Sequence, residues 1–408
     1  MRVPPYSRHA IVFLMSLMPI LPTGAAGAPD ASPLHVAAQK LVDAHLVSGV
    51  VALVGSGDNV IQVETAGYAD IAGRRPMTPD SLFWIASMSK AFTGTAVMML
   101  VDEGKIRIDD PVAKYLPEFG VQMLVVERDA DHVLLRKPPH PITIRDILTH
   151  TSGLGHRTPL EEEHIDLLSL RENVMTYPLL PLTFPAGQRY DYSNEGINTA
   201  GRIVEVVSGV PFDVFLRERI LGPLGMKDTT FHPDAGQIAR LAKSYGPDPG
   251  PSGLAELPID QLSSPLDNPL RGISPAGGLF STADDIYRFC RMIYHEGSYG
   301  GRRYLSRSAV DMMTATQIGQ LPMDNTMDYG YGFGWLTRRK VSRANDPVNL
   351  GSFGAGGAYN TNMWINRPRN LITVWLVQQE NYPESKRKIV RNTLMKAAVG
   401  AYGKSPPI

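Results

Sequence analysis

The sequence predicts an α/β chain of the α+β type, in which a mainly helical stretch is inserted between two strand-bearing parts. Three observations carry this. Strand-like apolar runs lie near both ends of the chain, helix-like patterns flank them, and the stretch between is rich in helix starts and stops. In order, Leu34 to His45 has helical spacing. Val50 to Val54 and Val60 to Ala66 read as strands joined by Ser56-Gly57-Asp58-Asn59, a hairpin signal. A helix apolar on almost every side then runs from Lys90 through Ala91, Phe92, Ala96, Val97, Met98, Met99, Leu100 and Val101, with Glu103-Gly104 to close it. From about Ile108 to Leu270, Asp109-Asp110-Pro111, Thr158-Pro159-Leu160-Glu161 and Gly209-Val210-Pro211 mark helix boundaries. Strand patterns return at Tyr329 to Leu336 and Asn362 to Val377, and Glu384 to Val399 reads as a closing helix. These boundaries divide the chain into a sheet-bearing part at 29–107 and 271–408 and a helical insertion at 108–270, with the site between them. Gly246-Pro247-Asp248-Pro249-Gly250-Pro251-Ser252-Gly253 reads as an exposed loop.

Composition suits an enzyme with a large core. Of 408 residues, 43% are hydrophobic and 20% charged, and the formal net charge is zero, so nothing points to a nucleic acid partner. Residues 1–28 have the layout of a signal peptide. Arg2 and Arg8 precede an apolar run from Ala10 to Leu21, and Thr23-Gly24-Ala25-Ala26-Gly27-Ala28 offers small residues for cleavage between Ala26 and Pro29. That run is too short and too Pro-broken to span a bilayer, so the expectation is a periplasmic or secreted protein without stable membrane insertion after cleavage. The lone Cys290 excludes an intrachain disulfide and lies far from the leader, where a lipid-anchor cysteine would sit.

The chemistry starts at Ser87-Met88-Ser89-Lys90. Three residues apart on a helix, a serine and a lysine share one face, and a buried lysine of lowered pKa can take a serine proton. Alone, the pattern reads as well as an ordinary helix start. The apolar helix behind it changes that, because a lysine in the first turn of a buried helix is either paired or perturbed. A second element, Tyr192-Ser193-Asn194, precedes a helix-like run through Ile197, Ala200, Ile203 and Val206. Beside a cation a phenol can lose its proton more readily and shuttle one for a serine, and an asparagine amide can donate and accept. A third, Ser352-Phe353-Gly354-Ala355-Gly356-Gly357-Ala358-Tyr359-Asn360-Thr361, leads into Met363-Trp364-Ile365, with Asn366-Arg367-Pro368-Arg369-Asn370 as a hairpin connection to Leu371. Glycines there let a substrate lie against the backbone. Each of these two would pass alone as a turn.

In this order and at these separations, the three motifs resemble the penicillin-recognising serine hydrolase superfamily, and within it the group of class C β-lactamases, D-Ala-D-Ala carboxypeptidases and family VIII esterases. Ile144 to Leu154, Pro275 to Asp285 and Tyr331-Gly332-Phe333-Gly334-Trp335 match the same group, and the resemblance runs from about residue 34 to about residue 380. It implies a β-lactamase/transpeptidase-like fold, an antiparallel sheet flanked by helices. It also implies Ser87 as nucleophile, Lys90 and Tyr192 as its catalytic partners, substrate binding by Asn194, Gly356, Gly357 and Ala358, and no metal or other cofactor. The departure is Ala355, where the group usually carries Lys, His or Trp. Alanine cannot grip a substrate carboxylate or favour a tyrosinate, which tilts the expectation from penicillins and D-Ala-D-Ala peptides towards neutral esters or amides.

The expected activity is thus that of an exported serine hydrolase forming an acyl-enzyme on a small-molecule ester or amide, peptidoglycan-derived ones included. A β-lactamase or D-Ala-D-Ala carboxypeptidase is the alternative within the group, and a weakly active cell-envelope ligand-binding protein is the alternative outside it. Glu161, Glu162, Glu163 and His164 cannot converge on one metal as neighbours on a helix, and read as a charged first turn after Pro159. His150 invites a Ser-His-Asp reading, but no Gly-x-Ser-x-Gly elbow accompanies it, and the resemblance makes it structural. Tyr329, Tyr331, Phe333 and Trp335 alternate with glycine as strand packing that would also line an acyl pocket.

Overall fold

Two ends of the chain meet in one sheet. In the computed structural model, which describes residue 1 and residues 31–155, 164–248, 253–323, 326–340, 348, 350–380 and 382–405, α1 (Pro33–Asp43) leads into the long strands β1 (Gly49–Gly55) and β2 (Val60–Asp70) and the short β3 (Arg75–Pro76). Then come α2 (Ser89–Asp102), α3 (Asn194–Ser208) and α4 (Ala283–Tyr294), followed by β4 (Tyr329–Tyr331), β5 (Leu336–Arg338), β6 (Phe353–Gly356), β7 (Asn362–Asn366), β8 (Leu371–Leu376) and α5 (Glu384–Tyr402). The eight strands lie in the order β4-β5-β6-β7-β8-β1-β2-β3. Every neighbouring pair is antiparallel. The central pair, β1 and β8, joins segments more than three hundred residues apart, with Val51 opposite Leu376 and Leu53 opposite Val374.

Both faces of this sheet are covered, which is why β1 and β8 read as unbroken apolar runs rather than alternating ones. The alternation is still there in the packing. Val51, Leu53, Met363, Ile365, Val374 and Leu376 point into the larger core, with residues of α2 and α4. Val50, Ala52, Val54, Trp364 and Trp375 point into a second core with Leu34, Ala38 and Leu41 of α1 and Val390, Leu394 and Ala398 of α5. The layers are therefore helix, sheet, helix, matching the fold class that the motifs imply.

The helix α2 is buried along nearly its whole length. Phe92 stacks on Phe289 of α4 with ring centroids 4.0 Å apart, and Phe289 in turn stacks on Trp335 at 5.9 Å. On its other side α2 packs against α3. The segment from 108 to 270 holds the helices Ile144–Leu148, Leu170–Thr176, α3, Phe212–Leu216 and Ala235–Arg240, and also a hairpin of Leu124–Arg128 with Val133–Arg136 that the sequence did not suggest.

Several expectations change. The run from Tyr329 to Leu336 is two strands, because Gly334 at φ +83° turns the chain between β4 and β5 and sends Phe333 and Trp335 into the core. Val206 does not join the buried face of α3 but is 42% exposed. Its place is taken by Val204, which lies on the same stripe as Ile197, Ala200 and Ile203. The glycine and proline stretch after residue 246 is partly strand, Ser244–Pro247 pairing with Leu254–Leu257. Residues 249–252 of that loop, the signal-peptide reading and Glu161 to Glu163 fall outside the described residues.

Truncating the ring that links α2, α4 and β5 tests this arrangement. Phe289→Ala should cost about 3–5 kcal/mol of stability, seen as a lowered midpoint in urea unfolding with the m-value unchanged.

Candidate active site

Ser87 sits on a tight 3₁₀ turn, Ala86–Met88, between a short strand at Phe83–Trp84 and the start of α2. Ala86 has φ +45°, a left-handed backbone that costs a non-glycine residue of order 1–2 kcal/mol. The turn is held in place by what surrounds it. Ile85 N–H donates to the Leu279 carbonyl at 2.9 Å, the Ser89 hydroxyl donates to the Ala86 carbonyl at 2.7 Å, and Leu279 N–H donates to Ser89 Oγ at 3.2 Å. Ser87 is thus presented at the mouth of α2 by a turn clamped to the strand pair Phe83–Trp84 and Phe280–Ser281.

Lys90 lies one turn further on and is 1% exposed. Its Nζ is 3.1 Å from Ser87 Oγ, 2.8 Å from Asn194 Oδ1 and 2.7 Å from the Ala276 carbonyl. Burial pushes the lysine down from its ordinary value of 10.5 to about 7, partly opposed by the charge of Glu195. A neutral amine has two N–H donors and one lone pair. The amide oxygen of Asn194 and the carbonyl of Ala276 can only accept, so they take both donors and leave the lone pair to the Ser87 hydroxyl. This geometry can remove a proton from a serine.

Asn194 opens α3, where the Ser193 hydroxyl caps the helix by accepting from Gly196 N–H at 3.1 Å. Tyr192, just before the cap, hydrogen-bonds to Ser87, and its ring centre is 4.7 Å from Lys90 Nζ. Here the structure corrects the sequence expectation of an acidified phenol. Burial pushes Tyr192 up and the hydrogen bond to Ser87 only partly offsets it. Since 36% of the residue is accessible, that push is weaker than for enclosed Tyr331, yet its sign stands. Burial favours the uncharged form of both, and of the pair it is Lys90 whose pKa is brought close to neutral pH.

The third motif meets the Ser87 turn through its backbone. Strand β6 ends at Gly356 beside that turn. A Cβ on Gly357 would come within 2.3 Å of the Ile85 carbonyl, so only glycine lets the chain pass. The Thr361 hydroxyl donates to that same carbonyl at 3.2 Å, Tyr359 packs edge-on against Trp84 at 4.8 Å, and Ala358 packs with them. Ala355 is 5% exposed and lies on the α2 side of the sheet, opposite Met363.

The seven residues singled out from the sequence therefore fall into two groups. Ser87, Lys90, Tyr192 and Asn194 are joined by direct contacts, and Gly356, Gly357 and Ala358 form the adjoining wall. Two contributors escaped the sequence reading, and the part played by a third was not foreseen there. The Ala276 carbonyl carries no side-chain signal. Glu195 was passed over, and His150, read from the sequence as structural, lies against Tyr192 with rings 4.4 Å apart. Among the described residues no group of three His, Cys, Asp or Glu side chains is placed to hold a metal ion.

The Beta-lactamase family model matches residues 37–396. The chain belongs to the beta-lactamase family. Over 359 residues it is 35% identical to Protein Rv1367c of Mycobacterium tuberculosis, covering 83% of this chain and 88% of that protein. Esterase EstB of Burkholderia gladioli is 29% identical over 365 residues, 83% of this chain and 87% of the esterase. Among solved structures, the LovD6 mutant of simvastatin synthase from Aspergillus terreus shares the fold with a TM-score of 0.75 at 22% identity, over 91% of this chain and 96% of that one. The beta-lactamase family to which this chain belongs is one of β-lactamase-fold hydrolases whose members include esterases and D-alanyl-D-alanine carboxypeptidases.

The lowered lysine has a thermodynamic signature. Between pH 7 and 10.5 the unfolded chain binds a proton at Lys90 that the folded chain does not, so stability from this group rises with pH across that window and is constant below it. Relative to Lys90→Met, the protein should gain roughly 1.4 kcal/mol per pH unit from pH 7 to 10. Urea unfolding of both at pH 6, 8 and 9.5 measures this, and a difference independent of pH would refute it.

Proposed function

We propose that this chain is an exported serine hydrolase that forms an acyl-enzyme on an ester or amide bond, with neutral esters as its preferred class. One observation carries the reading: a buried amine within hydrogen-bonding distance of Ser87 Oγ, Asn194 Oδ1 and the Ala276 carbonyl, which in its neutral form gives its two donors to the last two and its lone pair to Ser87. In the proposed cycle Lys90 takes the Ser87 proton as Oγ attacks the substrate carbonyl. Backbone N–H groups of Ser87 and Ala358 stabilise the oxyanion. The C–O or C–N bond then breaks, and the leaving group takes a proton from Tyr192, which is refilled from Lys90. Water attacks the acyl-enzyme as Lys90, acting through Tyr192, takes its proton, and that proton passes to Ser87 Oγ as the acyl C–O bond breaks and the acid leaves, restoring the starting state. The high phenol pKa makes Tyr192 the proton donor of this pair rather than a standing tyrosinate.

The preference for neutral substrates rests on Ala355. With alanine there, no charged side chain of the third motif meets a substrate carboxylate. Esterase EstB among the relatives agrees with this choice, whereas penicillin-binding relatives support the alternative of a lactamase or carboxypeptidase. Export, with removal of residues 1–28 into a periplasmic or extracellular location, is proposed from the leader composition. A small-molecule ester or amide is the proposed partner.

Turnover of a short-chain p-nitrophenyl ester beside nitrocefin and a D-Ala-D-Ala peptide tests the reading. Ester hydrolysis should exceed the other two and fall by about 10⁴-fold or more in Ser87→Ala, with loss of phosphonate labelling. Undiminished turnover in Ser87→Ala would overturn it, and labelling without turnover in the unaltered protein would favour a binding protein. Ala355→His should raise action on the two carboxylate-bearing substrates relative to the ester by about tenfold, the worth of one charge-assisted hydrogen bond.

A second expectation concerns pH. Ester kcat/KM should rise through about pH 7 as Lys90 loses its proton. A profile flat between pH 5.5 and 8.5 would contradict Lys90 as the base.

A further inference from the structure

Tyr192 is gripped from three sides by one residue. His150 follows the helix Ile144–Leu148 at φ +61°, a left-handed position where glycine or asparagine would sit without strain. It is fully buried. Its carbonyl accepts from Asp191 N–H at 2.8 Å, its Nδ1 accepts from Ser193 N–H at 3.1 Å, and its ring lies 4.4 Å from that of Tyr192 at an angle of 31°. The two hydrogen bonds therefore fasten the residues immediately before and after Tyr192, and the ring backs the phenol itself. From the other side Tyr331 of β4 packs on the imidazole at 4.6 Å and Tyr190 at 5.8 Å.

We propose that His150 is a positioning residue that holds Tyr192 against Ser87 and Lys90, and that it does so as a neutral imidazole carrying its proton on Nε2. An imidazole that accepts at Nδ1 must carry its proton on the other nitrogen. That Nε2 is buried with no hydrogen-bond partner among the described residues. A second proton would destroy the acceptor that holds Ser193 and would place a cation beside Lys90. Burial and Lys90 accordingly keep His150 well below the ordinary histidine range. The clamp therefore stays closed across the range in which Lys90 titrates. By backing the phenol it also helps keep water from Lys90, whose other neighbours are Ser87, Asn194 and the charge of Glu195.

This inference rests on the proposed role of Ser87, Lys90 and Tyr192, and two variants with one measurement on the unaltered protein test it. His150→Asn suits the left-handed backbone but loses the ring, and His150→Phe keeps a ring but loses the acceptor. Both should lower kcat for the p-nitrophenyl ester by about 10–100-fold with KM little changed. Both should move the acidic limb of the pH profile upwards by a unit or more, as a looser Tyr192 admits water to Lys90. A merely structural histidine would alter stability without moving that limb. Folded variants with unchanged kcat and limb would overturn the proposal. Should either variant fail to fold, ¹⁵N spectra of ring-labelled histidine in the unaltered protein decide it, since His150 must show a neutral Nε2–H tautomer from pH 5 to 9. Protonation near pH 6.5, or the opposite tautomer, would overturn it. If Ser87→Ala keeps its turnover the functional reading fails instead, and the spectra still judge the clamp.

Discussion

An amine kept from water and surrounded by acceptors is the constraint on which the rest of this molecule turns. Lys90 is held by contacts to three segments: the 3₁₀ turn before its own helix through Ser87, the start of α3 through Asn194, and the loop before α4 through the Ala276 carbonyl. None of these positions is tolerable alone. A buried ammonium without partners costs several kcal/mol, and an unpaired carbonyl or amide in the same place costs a further 1–3. Bringing them together satisfies the acceptors and leaves the lysine near neutrality, a state useful for moving protons and of little use for stability.

The surrounding fold can be understood as what is needed to keep that arrangement dry and fixed. The apolar shell of α2, with the Phe92, Phe289 and Trp335 stack, sets the helix axis. Backbone then approaches backbone where side chains would not fit. A Cβ on Gly334 would come within 2.3 Å of the Lys90 carbonyl, and one on Gly357 would meet that of Ile85. Two non-glycine residues, Ala86 and His150, accept left-handed backbones beside Ser87 and Tyr192 respectively. Strain concentrated at such points persists only where the packing around it overdetermines the conformation.

Family membership constrains the chemistry without choosing a substrate. The same fold serves enzymes named for esters and for D-alanyl peptides. In this chain Ala355 is the conspicuous position, a small side chain on the strand beside the Ser87 turn.

From the sequence alone, local chemistry was legible. The spacing of Ser87 and Lys90, the unbroken apolarity of α2, the runs at Val50 and Leu371 and the turn residues at Ser56 to Asn59 each express rules acting over a few residues, and each corresponds to an element of the structure. The split between β4 and β5 was hidden, because an alternating aromatic and glycine run looks the same whether or not one glycine takes a positive φ. The hairpin at Leu124–Arg136 was hidden too, its exposed apolar residues lacking a clear pattern. Only the tertiary structure could decide the direction of the Tyr192 shift. Burial is a property of neighbours distant in sequence, and while it lowers Lys90 as the apolar helix suggested, it raises Tyr192, the reverse of what the cation beside the phenol suggested. It alone could also show the Ala276 carbonyl as the third partner of Lys90 and His150 as the brace of Tyr192, since a backbone oxygen has no letter in the sequence and a histidine gains its role from the side chains that enclose it.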